Sequence, residues 1–419
     1  MIKKILLWLI TALSVSLFAC SGGQTTTTIT IPATVDTSTF YEIGSVEDLI
    51  GIEMNKSYLL VQDLDLSGLE WVPLGSIEKP FRGIFDGNGH SITNLTITKR
   101  NDSFNGLFAH VKGIVKDLVL TNFSIDYTAQ FITYAGGLAG YLSGDVSNVR
   151  AEGSIKITNN VSNTYAGLLA GISVATVTQT MKVKDFVANK INDVEVSGEL
   201  QVSGKDFIYV GGLAGKISNT VVENVKADIE ITAATEDYRI YAGGLAGHHY
   251  GGILVGYDKI IGDPKLPIKN IYVSGTIAID ISGIQASVGG LAGFSQYGVY
   301  ENIVTDIAFS FAGTKIISGL FLGEAWNGEY HNFLAAGSMV LVAEPGQEAV
   351  LDSLFGFVNA EPDLNNAFYH TTSAPITANA LGTNVSACDS CLTAAWFATW
   401  LEWDEAFISF TALASSFTE

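Results

Sequence analysis

Residues 134–140 read Tyr-Ala-Gly-Gly-Leu-Ala-Gly, and this stretch decides the fold because the chain repeats it. The copies share a leucine that follows the central glycines. These leucines are Leu107, Leu138, Leu168, Leu213, Leu245, Leu291 and Leu320. They lie about 30 residues apart, apart from two longer steps that begin at Leu168 and at Leu245, and such a period indicates a solenoid or another repeat array.

A second marker follows each leucine, and it locates the extra residues of the two long steps. It is a downstream asparagine, with Asp117 in the equivalent place of an earlier unit: Asn148, Asn192, Asn224, Asn270, Asn302 and Asn332. The interval from this marker to the next leucine is nearly constant, so the extra residues fall at 172–184 and 248–267. Insertions confined to one side of a fixed period are typical of a solenoid whose loops leave at one corner.

The segments between the markers alternate apolar and polar residues, as in 149–155 and 271–277. They are rich in Val, Ile and Thr and end at Gly or Asn, which predicts strands and not helices. A unit of this length holds roughly three strands of ~5 residues. We therefore predict an all-β fold, a right-handed parallel β-helix of about eight coils with ~30 residues each.

The Gly-Gly-Leu-Ala-Gly units resemble the GLUG motif of bacterial surface proteins, a repeat also found beside the peptidase domain of immunoglobulin A-cleaving enzymes. Residues 58–66, 71–75 and 81–95 are similar to the segment that usually precedes those repeats. The resemblance covers about residues 40–370. It implies a β-helical, secreted or surface-attached protein, and it does not imply one particular activity.

The N-terminus is typical of an exported protein. Lys3 and Lys4 precede an apolar run, so residues 1–19 are predicted to be a signal peptide. Leu-Phe-Ala-Cys at 17–20 resembles a bacterial lipobox, which implies a lipid on Cys20; an ordinary signal peptide with an incidental cysteine is the alternative. Residues 20–39 then form a Thr-rich tether. We expect an extracytoplasmic protein that the N-terminal lipid holds on the membrane, at the bacterial cell surface or in the periplasm.

The composition argues against nucleic acid as a partner. The chain has 22 Lys and Arg against 42 Asp and Glu, a net charge of −20 at pH 7. Binding to a phosphate backbone needs clustered basic residues, which the sequence lacks. The acidic residues are spread along the chain, and a solvated surface is their simplest interpretation.

The two ends of the repeat array are predicted to be capped. Residues 40–98 hold the N-terminal cap and the first coils, with a short helix at 45–52 that begins at a Ser N-cap. The repeat region is 99–370, and 371–419 form a C-terminal cap. An aromatic-faced helix is predicted there, with Trp396, Trp400, Trp403 and Phe407 on one face, covering the last coil. Just before it, Cys388 and Cys391 are close enough to form a disulfide in an oxidising compartment.

Candidate ligand contacts are few. Tyrosines recur before the glycines, at Tyr134, Tyr165, Tyr209 and Tyr241. An exposed stack would suit sugar rings, whereas an inward one is core; Tyr134 and Leu138 share a parity along an extended strand, which favours core. His248 and His249 open the second insertion, and Trp326 is a further candidate. Adjacent histidines on a strand cannot readily share a metal, so no metal site is predicted.

Motifs of common enzymes are missing from the sequence. It contains no His-Glu-x-x-His, no Gly-x-Ser-x-Gly and no phosphate loop, and it signals no cofactor. We therefore expect a non-catalytic cell-surface binding or adhesion module whose ligand is a glycan or an extracellular protein. A polysaccharide-cleaving β-helix enzyme is the first alternative, and a passive spacer of the cell envelope is the second.

Overall fold

The structure is a computed structural model. It describes residues 39–99, 103–175, 186–252, 265–313, 315–341, 348–352, 354–359, 362–371 and 383–384, and the backbone of 254–255 and 259–260. The predicted signal peptide, Cys20 and nearly all of the tether lie outside the described residues. So do Cys388, Cys391 and the predicted C-terminal helix.

The strands of the N-terminal part are short, and further along the chain short strands alternate with long ones. In chain order the elements up to the first long strand are β1 (Tyr41–Ile43), α1 (Val46–Ile50), β2 (Tyr58–Leu60), β3 (Leu64–Asp65), β4 (Ile84–Asp86), β5 (Ser91–Thr93), β6 (Thr96–Ile97), β7 (Phe104–Asn105), β8 (Phe108–Val111) and β9 (Ile114–Ala129). The next are β10 (Thr133–Ala135), β11 (Ala139–Leu142), β12 (Asp145–Asn159), β13 (Thr164–Gly167), β14 (Ala170–Val174), β15 (Asn189–Gly204), β16 (Ile208–Gly211), β17 (Ala214–Ser218) and β18 (Thr220–Thr235).

The remaining elements continue the same alternation of two short strands and one long strand. They are β19 (Arg239–Gly243), β20 (Ala246–Tyr250), β21 (Leu254–Val255), β22 (Lys259–Ile260), β23 (Pro267–Ile281), β24 (Gln285–Gly289), β25 (Ala292–Gln296), β26 (Val299–Gly313), β27 (Lys315–Gly319), β28 (Leu322–Trp326), β29 (Glu329–Leu341), β30 (Glu348–Asp352), β31 (Phe355–Val358), β32 (Asp363–Thr371) and β33 (Thr383–Asn384). Only β21 and β22 pair antiparallel within the described residues.

Three parallel sheets are built from these strands. Sheet I contains the long strands in the order β9-β12-β15-β18-β23-β26-β29-β32, extended by β1, β2 and β4 at one end and by β33 at the other. Sheet II has the order β7-β10-β13-β16-β19-β24-β27-β30, and sheet III has the order β8-β11-β14-β17-β20-β25-β28-β31. The chain passes from sheet II to sheet III to sheet I and then begins again one strand further along. This is a parallel β-helix whose sheets II and III each contain eight strands, as predicted.

The repeated leucines form the centre of the core. All seven are at most 1% exposed, because their side chains point inward from the turn that joins sheets II and III. In two coils the residue in register with the other leucines is the neighbour of the predicted one, namely Leu169 and Phe321, and both are also buried. Glycine is required beside them: a Cβ on Gly211 would lie 2.4 Å from the Cα of Ala246 in the next coil. The motif therefore reflects how closely successive coils approach at this turn.

The asparagine series forms a ladder at a bend in sheet I, which we call the amide ladder. Its members have φ between 51° and 56°: Asp117, Asn148, Asp193, Asn224, Asn270, Asn302, Asn332 and Asn366. The left-handed region is one that Asn and Asp tolerate better than other side chains. Asn270 Nδ2 donates to Asn224 Oδ1 at 2.9 Å, and Asn302 Nδ2 donates to Asn270 Oδ1 at 2.9 Å.

The bonds of the ladder run from one side chain to the next. One sequence prediction about this series is corrected. Asn192 is not a member, because Asp193 takes the left-handed position and accepts from Asn224 at 3.0 Å. An ionised carboxylate can only accept hydrogen bonds, so Asp193 has no donor to offer the amide oxygen of Asn148.

The first helix is where the sequence predicts it, and the insertions begin later than predicted. Ser45 caps α1, its Oγ accepting from the Asp48 amide at 3.1 Å, and Leu49 is buried in the core. Val174, Ser218 and Tyr250 stack in register at the ends of β14, β17 and β20. The extra residues therefore start only after Val174 and Tyr250. Among the helices of the described residues, none has both the length and the apolar character needed to cross a membrane.

Candidate functional site

Sheets II and III are joined by the glycine turn, and a row of outward-facing side chains on each sheet lines the space beside that turn. The row on sheet II is Phe104, Tyr134, Tyr165, Tyr209, Tyr241, Ser287, Ile317 and Val350. The row on sheet III is His110, Tyr141, Ile172, Lys216, His248, Phe294, Glu324 and Phe357. We call this space the aromatic groove.

Contacts across the groove show that the two rows face each other. Ring centroids lie 6.1 Å apart for Phe104 and Tyr141, 6.1 Å for Tyr209 and His248, and 5.9 Å for Tyr241 and Phe294. Most of these rings are half-buried. The groove thus combines shelter from water with access from outside, which ligand sites commonly require.

The tyrosines predicted from the repeat form one continuous stack, the aromatic ladder, which consists of Phe104, Tyr134, Tyr165, Tyr209 and Tyr241. Successive centroids are 4.8, 4.9, 4.6 and 5.2 Å apart, and successive ring planes differ by 5°, 15°, 3° and 13°. Each inner ring therefore has a neighbour on both faces. A sugar ring cannot stack on the inner members, which present only their edges to the groove.

The prediction that these tyrosines belong to the core is wrong. In β10 the buried residues are Thr133 and Ala135, and Tyr134 between them points outward. Leu138, which has the same parity in the sequence, points inward and is fully buried. The tight turn at the glycine pair lies between the two residues and reverses the direction of the side chains. Burial in the groove nevertheless raises the pKa of Tyr209 and of Tyr241.

A cation without a counter-ion lies in the middle of the sheet III row. Lys216 is half-buried, and it makes no ion pair or hydrogen bond to any described residue. Burial lowers its pKa. The next residue of the row is His248, whose pKa lies well below 6.5 because of burial and, secondarily, because of the charge on Lys216. The pair is therefore a neutral imidazole beside an ammonium group that faces the groove.

The aromatic ladder ends at Tyr241, and a polar cluster begins there. The register places Ser287 beyond Tyr241, so none of the described residues continues the stack on that face. Glu324 of the opposite row is buried and reaches across: its Oε1 accepts from Gln285 Nε2 at 2.7 Å and from the Ser287 hydroxyl. Phe294 lies edge-on to Tyr241. We call these five residues the groove end.

His248 and His249 have different surroundings, and only one of them is in the groove. Side chains alternate along β20, so His249 points inward and is 1% exposed. Its Nδ1 lies 2.6 Å from the Tyr300 hydroxyl, and burial lowers its pKa to about 3. The prediction that His249 contacts a ligand is therefore corrected: it belongs to a hydrogen-bonded group inside the core.

Trp326 lies on the same face of β28 as Glu324, two residues further from the turn. It is half-buried, and its ring is 5.5 Å from that of Phe294 in an edge contact. Its Nε1 is shielded from water and has no hydrogen-bond acceptor. Trp326 thus extends the aromatic lining beyond the groove end.

Among the groove residues that sequence reasoning missed are Lys216, Gln285, Phe294 and Glu324. The available signal was the repeat position two residues after the motif alanine, which is Tyr141, Ile172, Lys216, His248 and Phe294 in five successive copies. Varied chemistry at one fixed, outward position of an otherwise regular repeat indicates a surface that is not used only for packing. In the part of the chain that is described, no three His, Cys, Asp or Glu side chains are close enough to hold a metal ion.

Two known proteins are similar in sequence to parts of the chain. No protein-family model matches the chain. It is 30% identical over 140 residues to "Halomucin" of Haloquadratum walsbyi, which is 29% of this chain and 2% of that protein. It is 34% identical over 107 residues to "Putative Gly-rich membrane protein" of Evansella cellulosilytica, which is 23% of this chain and 12% of that protein. The chain therefore spans only a small part of the length of either relative.

One solved structure aligns with most of the chain. It is a crystal structure named as a "putative immunoglobulin A1 protease" from Bacteroides ovatus, with a TM-score of 0.42 and 16% sequence identity. The match covers 78% of this chain and 85% of that chain.

Proposed function

We propose that this chain is a lipid-anchored, extracytoplasmic β-helix of the GLUG-repeat kind that binds carbohydrate at the cell surface without cleaving it. The lipobox-like residues around Cys20 support the anchor, and the name of the Gly-rich membrane protein similar to 23% of the chain is compatible with it. The repeat array would then hold the aromatic groove away from the membrane.

The groove end is the observation that supports carbohydrate as the ligand. One face of the Tyr241 ring has no stacked ring among the described residues, and Phe294 contacts Tyr241 edge-on and provides an apolar wall. Glu324 and Gln285 supply a carboxylate and an amide, already ordered by their mutual hydrogen bond at 2.7 Å. A sugar has an apolar face and a rim of hydroxyl groups, so it matches a ring that is bordered by such groups.

Lys216 refines the choice of carbohydrate. A half-buried ammonium group without a counter-ion gains free energy when an anionic group binds beside it. We infer that the preferred ligand is an extended polysaccharide with an acidic group, which would contact Lys216 while a further sugar unit occupies the groove end. The inner tyrosines would contact it through their edges.

A direct test is to measure binding of residues 25–419 to a panel of neutral and acidic polysaccharides. Tyr241→Ala should weaken binding roughly fivefold, since an aromatic contact contributes about 0.5–1.5 kcal/mol. Tyr165→Ala is the matched control, because both faces of Tyr165 are covered by neighbouring rings. An equal loss of affinity in the two variants would contradict the groove-end site.

The chief rival, a polysaccharide-cleaving enzyme, is favoured by one observation. Lys216 lies beside a neutral His248, and a lysine with a lowered pKa can act as a general base. Incubation of the same polysaccharides with the protein, followed by sizing of the products, distinguishes the two proposals. Shortened chains that disappear in Lys216→Met would establish the enzyme, and failure to bind any ligand would leave a passive spacer.

The proposed lipid anchor and membrane location are tested separately. In a bacterial host, the chain should incorporate a radiolabelled fatty acid and fractionate with membranes. Cys20→Ser should abolish the label and release the protein from the membrane fraction. A Cys20→Ser variant that still carries the label would show that the lipid is attached elsewhere.

A further inference from the structure

One outward-facing row of sheet I changes its chemistry halfway along the array. In register, the row is Val119, Arg150, Glu195, Lys226, Tyr272, Val304, Leu334 and Phe368. Among the charged members, the side chains of Arg150 and Glu195 are 51% and 47% exposed, and that of Lys226 is 35% exposed. The last four members are apolar or aromatic. We call these four residues the apolar strip.

The apolar strip points away from the core and is nevertheless shielded from water. Val304 and Leu334 are 0% exposed, and Tyr272 and Phe368 are 9% exposed. Their sequence neighbours, such as Ile303 and Phe333, point inward and belong to the core cluster, whereas the strip residues do not. Side chains on the outer face of a sheet lose contact with water only when another part of a protein lies on them. The strip is therefore a covered surface.

Adjacent residues show the same shielding. Ala336, one outward position further along the coil, is 1% exposed. Asp306, in the same outward column as Ala336, is half-buried, and burial raises its pKa. The corresponding residue in the charged half, Asp228, is exposed to solvent on the same sheet. The covered area thus spans the C-terminal coils only.

We propose that the apolar strip is the docking surface for the C-terminal segment of this same chain, through the aromatic stripe Trp396, Trp400, Trp403 and Phe407. The stripe lies outside the described residues, and its helical spacing is read from the sequence. The inference is independent of the carbohydrate proposal, because the strip and the groove are on different sheets.

The path of the chain leads to the strip. After β32 the chain returns to the edge of sheet I as β33, where Thr383 pairs with Phe368 of the strip. Trp396 follows shortly after β33. The segment that contains the stripe therefore starts from a point one strand away from the surface on which we place it.

The length of the aromatic stripe also matches the length of the apolar strip. The stripe runs from Trp396 to Phe407, which is eleven steps along a helix, or about 16 Å at ~1.5 Å per step. The strip spans three steps between neighbouring strands, or about 14 Å at ~4.8 Å per step. An aromatic stripe of this length can contact all four members of the strip. A helix that plugged the open end of the last coil, as the sequence predicts, would not cover Tyr272 or Val304.

Disulfide trapping in the full chain tests the contact. With Cys20, Cys388 and Cys391 replaced by Ser, the pairs Val304→Cys with Trp400→Cys and Leu334→Cys with Trp403→Cys join the centres of strip and stripe. Both pairs lie near each other whichever way the helix runs. We expect an intramolecular disulfide in most molecules for at least one pair. Glu195→Cys with Trp400→Cys, in the charged half of the same row, is the matched control and should stay reduced.

A second measurement leaves the stripe unchanged. Val304→Asp with Leu334→Asp should shift the tryptophan emission to longer wavelength and make protease cleavage after residue 371 about tenfold faster, because the segment would detach locally. Arg150→Asp is the control and should change neither property. Far-UV circular dichroism should show that the β-helix stays folded in both variants.

Three outcomes would overturn the proposal. A disulfide that forms only between molecules would assign the strip to a second copy of the chain. A disulfide from Val304→Cys to Ile260→Cys in place of Trp400→Cys would assign it to the β21–β22 hairpin. Unchanged tryptophan emission and unchanged cleavage in the double Asp variant would show that the C-terminal segment does not lie on the strip.

Discussion

The amide ladder and the aromatic ladder use the same coil-to-coil repeat with different results. Each amide both donates and accepts, so the amide ladder continues from Asn224 to Asn366 without a gap. The aromatic ladder needs only ring faces, and it stops at Tyr241 where Ser287 replaces the ring. An amide can pair with an identical amide on both sides, so the amide ladder only stabilises the fold. The aromatic ladder ends within the array, so its last ring leaves a surface for a ligand.

The largest difference should come from the amide ladder. Asn270→Ala removes two side-chain hydrogen bonds and places Ala at a φ of 55°, so the free energy of unfolding should fall by about 3 kcal/mol. Asn270→Gly keeps the backbone conformation and should lose clearly less. Urea denaturation of both variants measures the difference. Equal losses would show that the left-handed backbone contributes nothing.

As the pH falls, strands β20 and β25 of sheet III should lose stability before the amide-ladder strands of sheet I do. The pKa of His249 is lowered to about 3 by burial, from about 6.5 in the unfolded chain. Its contribution to stability is fully present above pH 6.5 and is lost as the pH falls toward 3. The loss should be about 1.4 kcal/mol per pH unit below 6.5, or about 2 kcal/mol at pH 5.

Hydrogen exchange as a function of pH measures this order of events. Protection of β20 and β25 should decrease between pH 6.5 and pH 5, while protection of the amide-ladder strands of sheet I decreases later. His249→Gln should reduce the pH dependence, because the glutamine side chain does not titrate. Simultaneous loss of protection in sheets I and III would mean that the coils unfold as one unit.

Within the aromatic ladder, the inner and the terminal rings should contribute different amounts to the free energy of unfolding. Tyr165→Ala removes a ring stacked on both faces and should lower the free energy of unfolding by about 2 kcal/mol, while Tyr241→Ala should lower it by about 1 kcal/mol. Thermal unfolding of the two variants tests the difference. A larger loss for Tyr241 would mean that its contacts at the groove end outweigh the stack.

The smallest effect should be a gain in stability. Asp193→Asn keeps an oxygen for Asn224 and adds an amide that can donate to Asn148, which would repair the one break in the amide ladder. The expected gain is about 0.5–1 kcal/mol, the net contribution of one hydrogen bond. Asp228→Asn, an exposed position on the same sheet, controls for the removal of a negative charge. A loss of stability would mean that the Asp193 carboxylate already has better partners.

A structural feature of this chain can be predicted from sequence when the residues that determine it lie close together in the sequence. The spacing of the leucines and the alternation in segments such as 271–277 predict coils and strands, because one repeat contains all the information. The direction of Tyr134 was predicted wrongly because a turn of two glycines lies between it and Leu138. Asp193 was missed because a neighbouring asparagine resembles the repeat more closely.

The groove could be predicted only in part for a similar reason. Its tyrosines recur at one position and are visible in the sequence. Glu324 and Gln285, by contrast, come from successive coils on two different sheets, and only the turn geometry brings them to 2.7 Å. Residues that meet between coils leave no periodic signal when each occurs once. Groove residues that occur only once in the repeat array can therefore be identified only from the structure.

The close approach at Gly211 has a consequence for how such a chain can change in length. Successive coils of the central array meet in the same way at this position, because a Cβ on Gly167, Gly211 or Gly243 would lie 2.3, 2.4 or 2.5 Å from the Cα of the alanine in the next coil. A duplicated or deleted coil would therefore fit its new neighbours without any compensating change. Each such event would move the groove end by about 4.8 Å along the array, so the reach of the protein is adjustable in whole steps while the binding residues stay the same.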